Sequence, residues 1–510
     1  MTNYILSNQF DIILNNIYLF FNILVVLCFC LHFGTSTRHR FPIVYNQTSL
    51  FGCIMLLFTF LLTVNNPFGN QFLFYNIFVQ NNFILFLQST ILLFSTIILV
   101  ISNFYLKEEK YNLFEPIVLI LISILAMMFL LNSFDLMAIY LCIELQSFCF
   151  YILAAIRRKN IYSIEAGLKY FILGSFSSSF LIFGFSFLYG FTGLTNIEDL
   201  INLYTQFQYL QQYALVVDSF DQLFVGTTLG AFFILTGLFF KIYAAPFHFW
   251  IIDIYQGAPT FMTAFFATIP NFVLLYVFLR ILDLFYHTYH IWYYIVLFVG
   301  ILSLVLGSIG AIYQRTIKRL IAYSSVTHMG YFLLFIALYL KQGLYTMQFL
   351  FVYLILYVIT TLGIFTIILM LYKHKHSNAT FIEYFMNFAN LYKINPLLSW
   401  ILSLFLFSVA GIPPLPGFFA KLFLFTSIMY PYFRMIVFFV TMILTIISCY
   451  YYLRIVKIIY FSSLSSWLFF KPVPYSSSIL LILLTFSLLA FLCAPEYFQT
   501  PIYYYTLKFF

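Results

Sequence analysis

Apolar residues run in stretches of about twenty along almost the whole chain, separated by short polar connections. A helix rising about 1.5 Å per residue needs roughly twenty such residues to cross the hydrocarbon of a bilayer. The pattern predicts an all-α polytopic membrane protein with fourteen spans, over 10–32, 41–64, 82–105, 116–131, 135–156, 166–190, 221–253, 259–284, 292–312, 319–340, 345–372, 395–428, 432–460 and 477–494. They group into three N-terminal spans (1–110), a first five-helix unit of spans 4–8 (111–290), a second of spans 9–13 (291–460), and a C-terminal helix and tail (461–510). The longest polar connection, 191–220, holds Glu198, Asp199 and Asp218 and reads as a loop. No segment is large or polar enough to form a separate soluble domain.

Two spans break the pattern. In span 7, LTGLFFKIYAAPFHFWIIDIYQGAP (235–259), Lys241 interrupts the apolar run and Pro246 follows five residues later. Proline has no N–H and crowds the carbonyl four residues back, here that of Ile242, so the helix should break near the lysine. In span 12, Pro413, Pro414 and Pro416 precede Lys421. Lipid satisfies neither a charge nor open backbone, so both features must face protein or water. Two broken spans five apart predict an inverted repeat, spans 4–8 against 9–13, with an ion path at the seam.

Composition adds sidedness. The 510 residues are 64% hydrophobic and 7% charged, against about 25% charged in soluble domains. Seventy Phe and 42 Tyr fit AT-rich coding DNA of the kind organelles often carry. The first residues, MTNYILSNQFDIILNN, hold no Lys or Arg, unlike a transit peptide or signal peptide. Basic residues sort onto alternate connections. Arg38, Arg40, Lys107, Lys110, Arg157, Arg158, Lys159, Arg315, Lys318, Arg319, Lys373, Lys375, Lys393, Arg454, Lys457 and Lys471 fall on one side, sixteen against four (Arg280, Lys341, Arg434, Lys508) on the other. The positive-inside rule then places both termini on the outer side. The net charge of +8 is thus mostly topology and gives no ground for nucleic-acid binding. The seven cysteines lie in or beside apolar spans without metal-ligand spacing, and read as small core residues.

The chemistry narrows to a few side chains. Lys241 is the strongest signal, since a lysine mid-span costs about 2.5–3.5 kcal/mol on insertion scales. Glu144 is the one carboxylate well inside a span, so it is the natural partner of Lys241. Such a pair can be opened or closed by moving one member. Lys421 is the second lysine at a broken span. Lys169, about one turn into span 6, has Glu165 four residues before it, and an i,i+4 ion pair explains it equally well. The small residues of GSFSSSF (174–180) read as close helix packing. His248 and His328 are candidate relays or hydrogen-bonded core residues. Asp253 reads as an anchor for the irregular segment. No nucleotide fingerprint, phosphate loop or nucleophile triad is present.

These motifs carry a resemblance. IELQSFCFYILAAIRR (143–158), SIEAGLKYFILGSFSSSFLIFG (163–184), FKIYAAPFHFWIIDIYQGAPTFMTAFFA (240–267), QRTIKRLIAYSSVTHMGY (314–331) and SVAGIPPLPGFFAKLFLF (408–425) resemble the antiporter-like subunit 2 family of respiratory complex I, the proton-pumping NADH:ubiquinone oxidoreductase. The match covers spans 5–12; the first three spans and the tail beyond about residue 430 agree only in hydropathy and length. The resemblance implies fourteen helices, two inverted repeats and interrupted spans 7 and 12. It assigns Glu144 and Lys241 the role of the coupled pair, Lys421 that of the lysine exchanging protons with the outer side, and Lys169 that of a lysine near the inner-side intake. Where the family usually has a span 8 lysine in a setting like ATAPK, this chain reads ATIPN, with Asn271 in place of the lysine. Asn271 or His328 would then have to bridge the two halves through water.

The reading that follows is a core membrane-arm subunit translocating protons across the inner mitochondrial membrane, coupled to NADH oxidation and ubiquinone reduction elsewhere. It implies no cofactor on this chain, with NADH, FMN, iron–sulfur clusters and ubiquinone on other subunits. It implies neighbouring antiporter-like and other membrane-arm subunits, and lipids, as partners. The alternatives are a bracing subunit with impaired pumping, a stand-alone cation/proton antiporter, and a subunit of a related photosynthetic complex.

Overall fold

The computed structural model describes residues 10, 12–33, 45–67, 69, 71–109, 114–212, 218–286, 291–373, 380–381, 383–429, 435–462 and 470–506. Apolar runs become helices because only a helix satisfies its own backbone in lipid. In chain order these are α1 (Leu14–Phe33), α2 (Tyr45–Val64), α3 (Asn82–Glu108), α4 (Glu115–Asn132), α5 (Leu136–Ala154), α6 (Ile161–Thr192), α7 (Ile197–Gln212), α8 (Asp218–Lys241), α9 (Phe249–Gly257), α10 (Thr260–Tyr286), α11 (Ile291–Ile312), α12 (Ile317–Gln342), α13 (Leu344–Met370), α14 (Leu391–Ile394), α15 (Pro396–Ala410), α16 (Pro416–Ile428), α17 (Met435–Phe461), α18 (Tyr475–Cys493) and α19 (Glu496–Thr506). Among the described residues, twelve helices are each long and apolar enough to cross a membrane. Two further crossings are each built from two shorter apolar stretches, Val225–Lys241 of α8 with α9, and α15 with α16. Together these make the predicted fourteen. Strands are confined to connections: β1 (Gln71–Leu73) and β2 (Phe78–Gln80) form an antiparallel hairpin with Gln71 opposite Gln80.

Helix ends follow local chemistry. Asp135 starts α5 by accepting from the Met137 amide at 3.0 Å, and Asn160 starts α6 by accepting from the Tyr162 amide at 3.1 Å. Such side-chain caps satisfy amides left without an intrahelical partner. The connection 191–220 departs from its expected loop: 197–212 are helical. Ile197, Leu200 and Tyr204 are buried on one face of α7. Their i, i+3, i+7 spacing is a helical stripe, and the acidic, polar residues between them hid it from a reading based on hydropathy. A further short helix, α19, lies in the C-terminal tail.

Burial sets the centre. The apolar windows of α10 and α13 are wholly buried and that of α12 is 94% buried, whereas those of α1, α2, α17 and α18 are a third buried or less. These three helices, α10, α12 and α13, therefore form the centre of the bundle. Cys30 and Cys149 are buried as expected, but Cys28 and Cys493 are exposed on the periphery; small apolar thiols suit a lipid-facing surface as well as a core.

Contacts between connections sort by level. On one side Arg157 meets Glu109, Lys471 meets Glu108, Lys318 donates to the Ala258 carbonyl and Arg454 to the Ile312 carbonyl. On the other, Arg280 donates to the carbonyls of Leu131 and Ser133, Asn196 to the Asn76 carbonyl, and Thr195 to Asp135. This sorting matches the alternation expected from the charges. Arg38, Arg40, Lys110, Lys375, Arg434, Lys508 and both chain ends lie outside the described residues.

The small residues of span 6 do bring helices close. A Cβ on Gly184 of α6 would lie 2.8 Å from the Gly230 carbonyl oxygen and 2.6 Å from the Ile234 side chain of α8. Gly184→Leu is therefore expected to destabilise the α6–α8 pair by at least the ~1–3 kcal/mol typical of overpacking. The check is the yield of assembled complex on a native gel, with Gly184→Ala giving a smaller loss.

Candidate functional site

The first interruption begins where α8 ends at Lys241. Residues 242–248 turn while several of their amides keep backbone partners. Tyr243 donates to the Phe240 carbonyl at 3.0 Å, Ala244 to Phe239 at 2.9 Å and Phe247 to Ala244 at 2.8 Å. Tyr243 sits at φ +47°, in the left-handed region. The second interruption opens at Gly411, φ +84°, where glycine has no Cβ to clash. Its amide donates to the carbonyls of Phe407 and Ser408, both at 3.0 Å. Both spans thus break where Pro246 and the Pro413–Pro416 run placed the interruptions.

Lys241 and Glu144 meet. Their charged atoms are 3.8 Å apart, with side chains only 9% and 13% exposed. That separation is an ion pair, beyond direct hydrogen-bond distance. The Ser147 hydroxyl bonds the Glu144 backbone carbonyl at 2.9 Å and lies 3.4 Å from the carboxylate. Lys241 opens on a cavity of about 40 Å³ lined by Gln146, Ser147, Tyr170, Tyr243, Trp250, Tyr255 and Asn271 among others. A water needs roughly 10–15 Å³ of such space and two or more polar partners, both of which this cavity supplies.

Asn271, 1% exposed, is fully engaged. Its Oδ1 accepts from the Tyr243 hydroxyl at 2.8 Å and its amide donates to the Ala267 carbonyl at 2.8 Å. The Tyr243 and Tyr255 hydroxyls lie beside Ser325 of α12. Tyr357 of α13 comes next, near Tyr255 on one side and with its ring 4.8 Å from that of His328 on the other. His328 is 3% exposed, pairs through Nδ1 with the Tyr353 hydroxyl at 2.8 Å, and lines a second cavity of about 30 Å³ with Ser324, Tyr357, Thr361 and Tyr452.

Lys421 closes the series. It is 5% exposed, lies 5.6 Å from the centre of the Tyr331 ring, and donates to the Val409 and Ala410 carbonyls at 3.1 and 2.7 Å. Those carbonyls are the end of α15, which the interruption leaves without intrahelical partners. A cation there also faces the negative pole of the helix. Lys421 borders a wide cleft between α16 and α17 that runs to Thr426, Met429 and Phe438, away from the basic-rich level.

Two predicted residues stand apart. Lys169 is 42% exposed and held at 2.7 Å by Glu165 and 2.8 Å by Asp253. It therefore ties α6 to the half-helix α9, and Asp253 anchors that segment as expected. His248 is buried beside the first interruption but does not line the Lys241 cavity. The sequence reading missed the tyrosines. Tyr243, Tyr255, Tyr331, Tyr353 and Tyr357 are all buried between the two lysines. Their signal was their position in the central helices.

The chain resembles known proteins along most of its length. The family described as NADH:quinone oxidoreductase/Mrp antiporter, transmembrane, matches residues 133–448. NADH-ubiquinone oxidoreductase chain 2 of Marchantia polymorpha is 38% identical over 478 residues, covering 93% of each chain. NADH-quinone oxidoreductase subunit N of Pelagibacter ubique is 40% identical over 439 residues, covering 85% of this chain and 87% of that one. Among solved structures, a chain of respiratory complex I from Thermus thermophilus superposes with a TM-score of 0.74 at 22% identity, over 95% of this chain and 98% of that one.

Proposed function

Because the chain belongs to the NADH:quinone oxidoreductase/Mrp antiporter transmembrane family, as an antiporter-like subunit 2 of complex I, we propose that it moves protons across the membrane by way of Glu144, Lys241, Asn271, His328 and Lys421. The observation that carries this reading is the set of buried polar side chains lying between two buried lysines at two broken helices. Asn271 takes the place of a charged station, and Tyr243 orients it. Protons pass it through hydroxyls and cavity water on the Ser325, Tyr255 and Tyr357 side, reach His328, and leave from Lys421.

The membrane is the inner mitochondrial membrane in this reading, with both termini facing the intermembrane space. Support comes from the charge asymmetry and the mitochondrial relatives. Electron transfer from NADH to ubiquinone, with its FMN and iron–sulfur clusters, takes place on other subunits. Neighbouring antiporter-like subunits and lipids cover the lateral faces.

The experiment is proton release by the assembled complex in vesicles. Lys421→Met is expected to remove the exit station while leaving Lys241 and the rest of the fold in place. The measured ratio of protons to electrons should fall. An unchanged ratio in fully assembled complex would rule out Lys421 as the exit.

A further inference from the structure

Four charged side chains outside the lysine series gather at the basic-rich level. Glu109 follows α3, Arg157 lies between α5 and α6, Lys318 is in the first turn of α12, and Glu383 precedes α14. Arg157 is 3.7 Å from Glu109, and its guanidinium lies 5.6 Å from the Tyr105 ring centre. Lys318, half-buried, has both carboxylates as electrostatic partners and Arg157 as a like charge that repels it. Its ammonium is held at 2.7 Å by a backbone carbonyl, that of Ala258. Burial pushes the Glu109 carboxyl above its ordinary value, against the pull of Lys318.

The group has an inward continuation. Ala258 ends the half-helix α9 and lies three residues beyond Tyr255, which lines the Lys241 cavity. Lys318 and Ser325 are seven residues apart, two turns along one face of α12 and about 10 Å by helix rise. Ser325 is the hydroxyl beside Tyr243 and Tyr255. The Lys318 cluster and the Lys241 cavity thus lie two turns apart along α12, with the apolar Ile321 and Ala322 between Lys318 and Ser325.

We propose that Lys318, with Glu109 as its acid partner, is the proton-loading station that feeds the Lys241 cavity from the basic-rich side. The Glu109 carboxyl takes a proton from water and gives it to the Lys318 amine. The ammonium then releases it to water, which carries it past Ile321 and Ala322 to Ser325, Tyr255 and Lys241, and no electrons move. This station rests on the proton-moving reading above. Nothing in the resemblance or the lysine series requires it, since Lys318 reads from sequence as one of many topological charges.

Arginine separates this role from a structural one. Lys318→Arg keeps the positive charge and a donor for the Ala258 carbonyl, but a guanidinium does not release its proton in a protein. In assembled complex reconstituted in vesicles, Lys318→Arg should cut the rate of coupled proton uptake about tenfold or more, the scale of one lost proton-transfer group. Glu109→Gln should slow uptake most at alkaline pH, where loading from water limits the rate. Wild-type uptake and an unchanged pH profile in Lys318→Arg would overturn the proposal, making Lys318 a helix cap only. If Lys318→Arg pumps normally while Lys241→Met does not, the loading station falls and the proton-moving reading stands. If Lys241→Met also pumps with the full ratio, the reading itself falls. Should Lys318→Met fail to assemble, the arginine variant still decides.

Discussion

Lys241→Met in the assembled complex is expected to abolish proton translocation through this chain while leaving assembly intact. Methionine is close to lysine in length and apolar, so it fills the same volume and removes only the charge. Lys241 stands with Glu144 3.8 Å away on one side and polar cavity walls beyond. Without the ammonium, the series from Asn271 to Lys421 has no charged group at its start. The measurement is the ratio of protons released to electrons transferred in reconstituted vesicles. A full wild-type ratio in fully assembled complex would favour a bracing subunit, the alternative that Asn271 in span 8 raises.

The second large effect is on stability. Glu144→Leu strands the Lys241 ammonium in a site where only 9% of its side chain is exposed. Breaking one partner of a buried pair typically costs about 3–5 kcal/mol, much more than the net worth of the pair itself. The double variant Glu144→Leu/Lys241→Met replaces both charges with apolar groups and should recover most of that loss. The two singles and the double form a cycle, read by thermal denaturation of the purified complex. If Glu144→Leu alone denatures like wild type, the two groups do not stabilise each other and the ion pair is incidental. The cycle also separates fold from function, since the double variant should be stable and inactive in pumping.

Much of this architecture was legible from residue pattern alone, for identifiable reasons. Spans are legible because a bilayer demands long apolar runs, and nothing else in the chain competes with that signal. The interruptions are legible because proline removes an amide wherever it stands, and both fell where Pro246 and Pro413–Pro416 placed them. Glu144 could be paired with Lys241 because no rival carboxylate lies deep in a span. The rest was hidden by excess. With 42 tyrosines in the chain, no single one stands out, so Tyr243, Tyr255 and Tyr357 emerge only when the fold collects them between the lysines. Lys318 was counted among sixteen charges that sort topology, and its bond to Ala258 depends on a contact sixty residues away in sequence. Lys169 had a sufficient local partner in Glu165, which concealed its second tie to Asp253. Helix α7 was lost because its acidic residues outweigh a correct apolar stripe.

The two broken helices have one more consequence, and it belongs to the backbone. Lys241 is the last residue of α8, and Lys421 donates to the last carbonyls of α15. The Lys421 ammonium therefore rests at the carbonyl end of a half-helix, and Lys241 leaves the backbone at another, where aligned peptide dipoles sum to about half a negative charge. These two half-helices enter from opposite faces, since they are the leading halves of spans 7 and 12, which run in opposite directions. The chain thus presents two shallow electrostatic wells where its spans are broken, approached from either side, and both attract positive charge. The sign of the ion that can rest inside is set by the peptide groups before any side chain titrates, and it would persist if either lysine were replaced by a neutral residue.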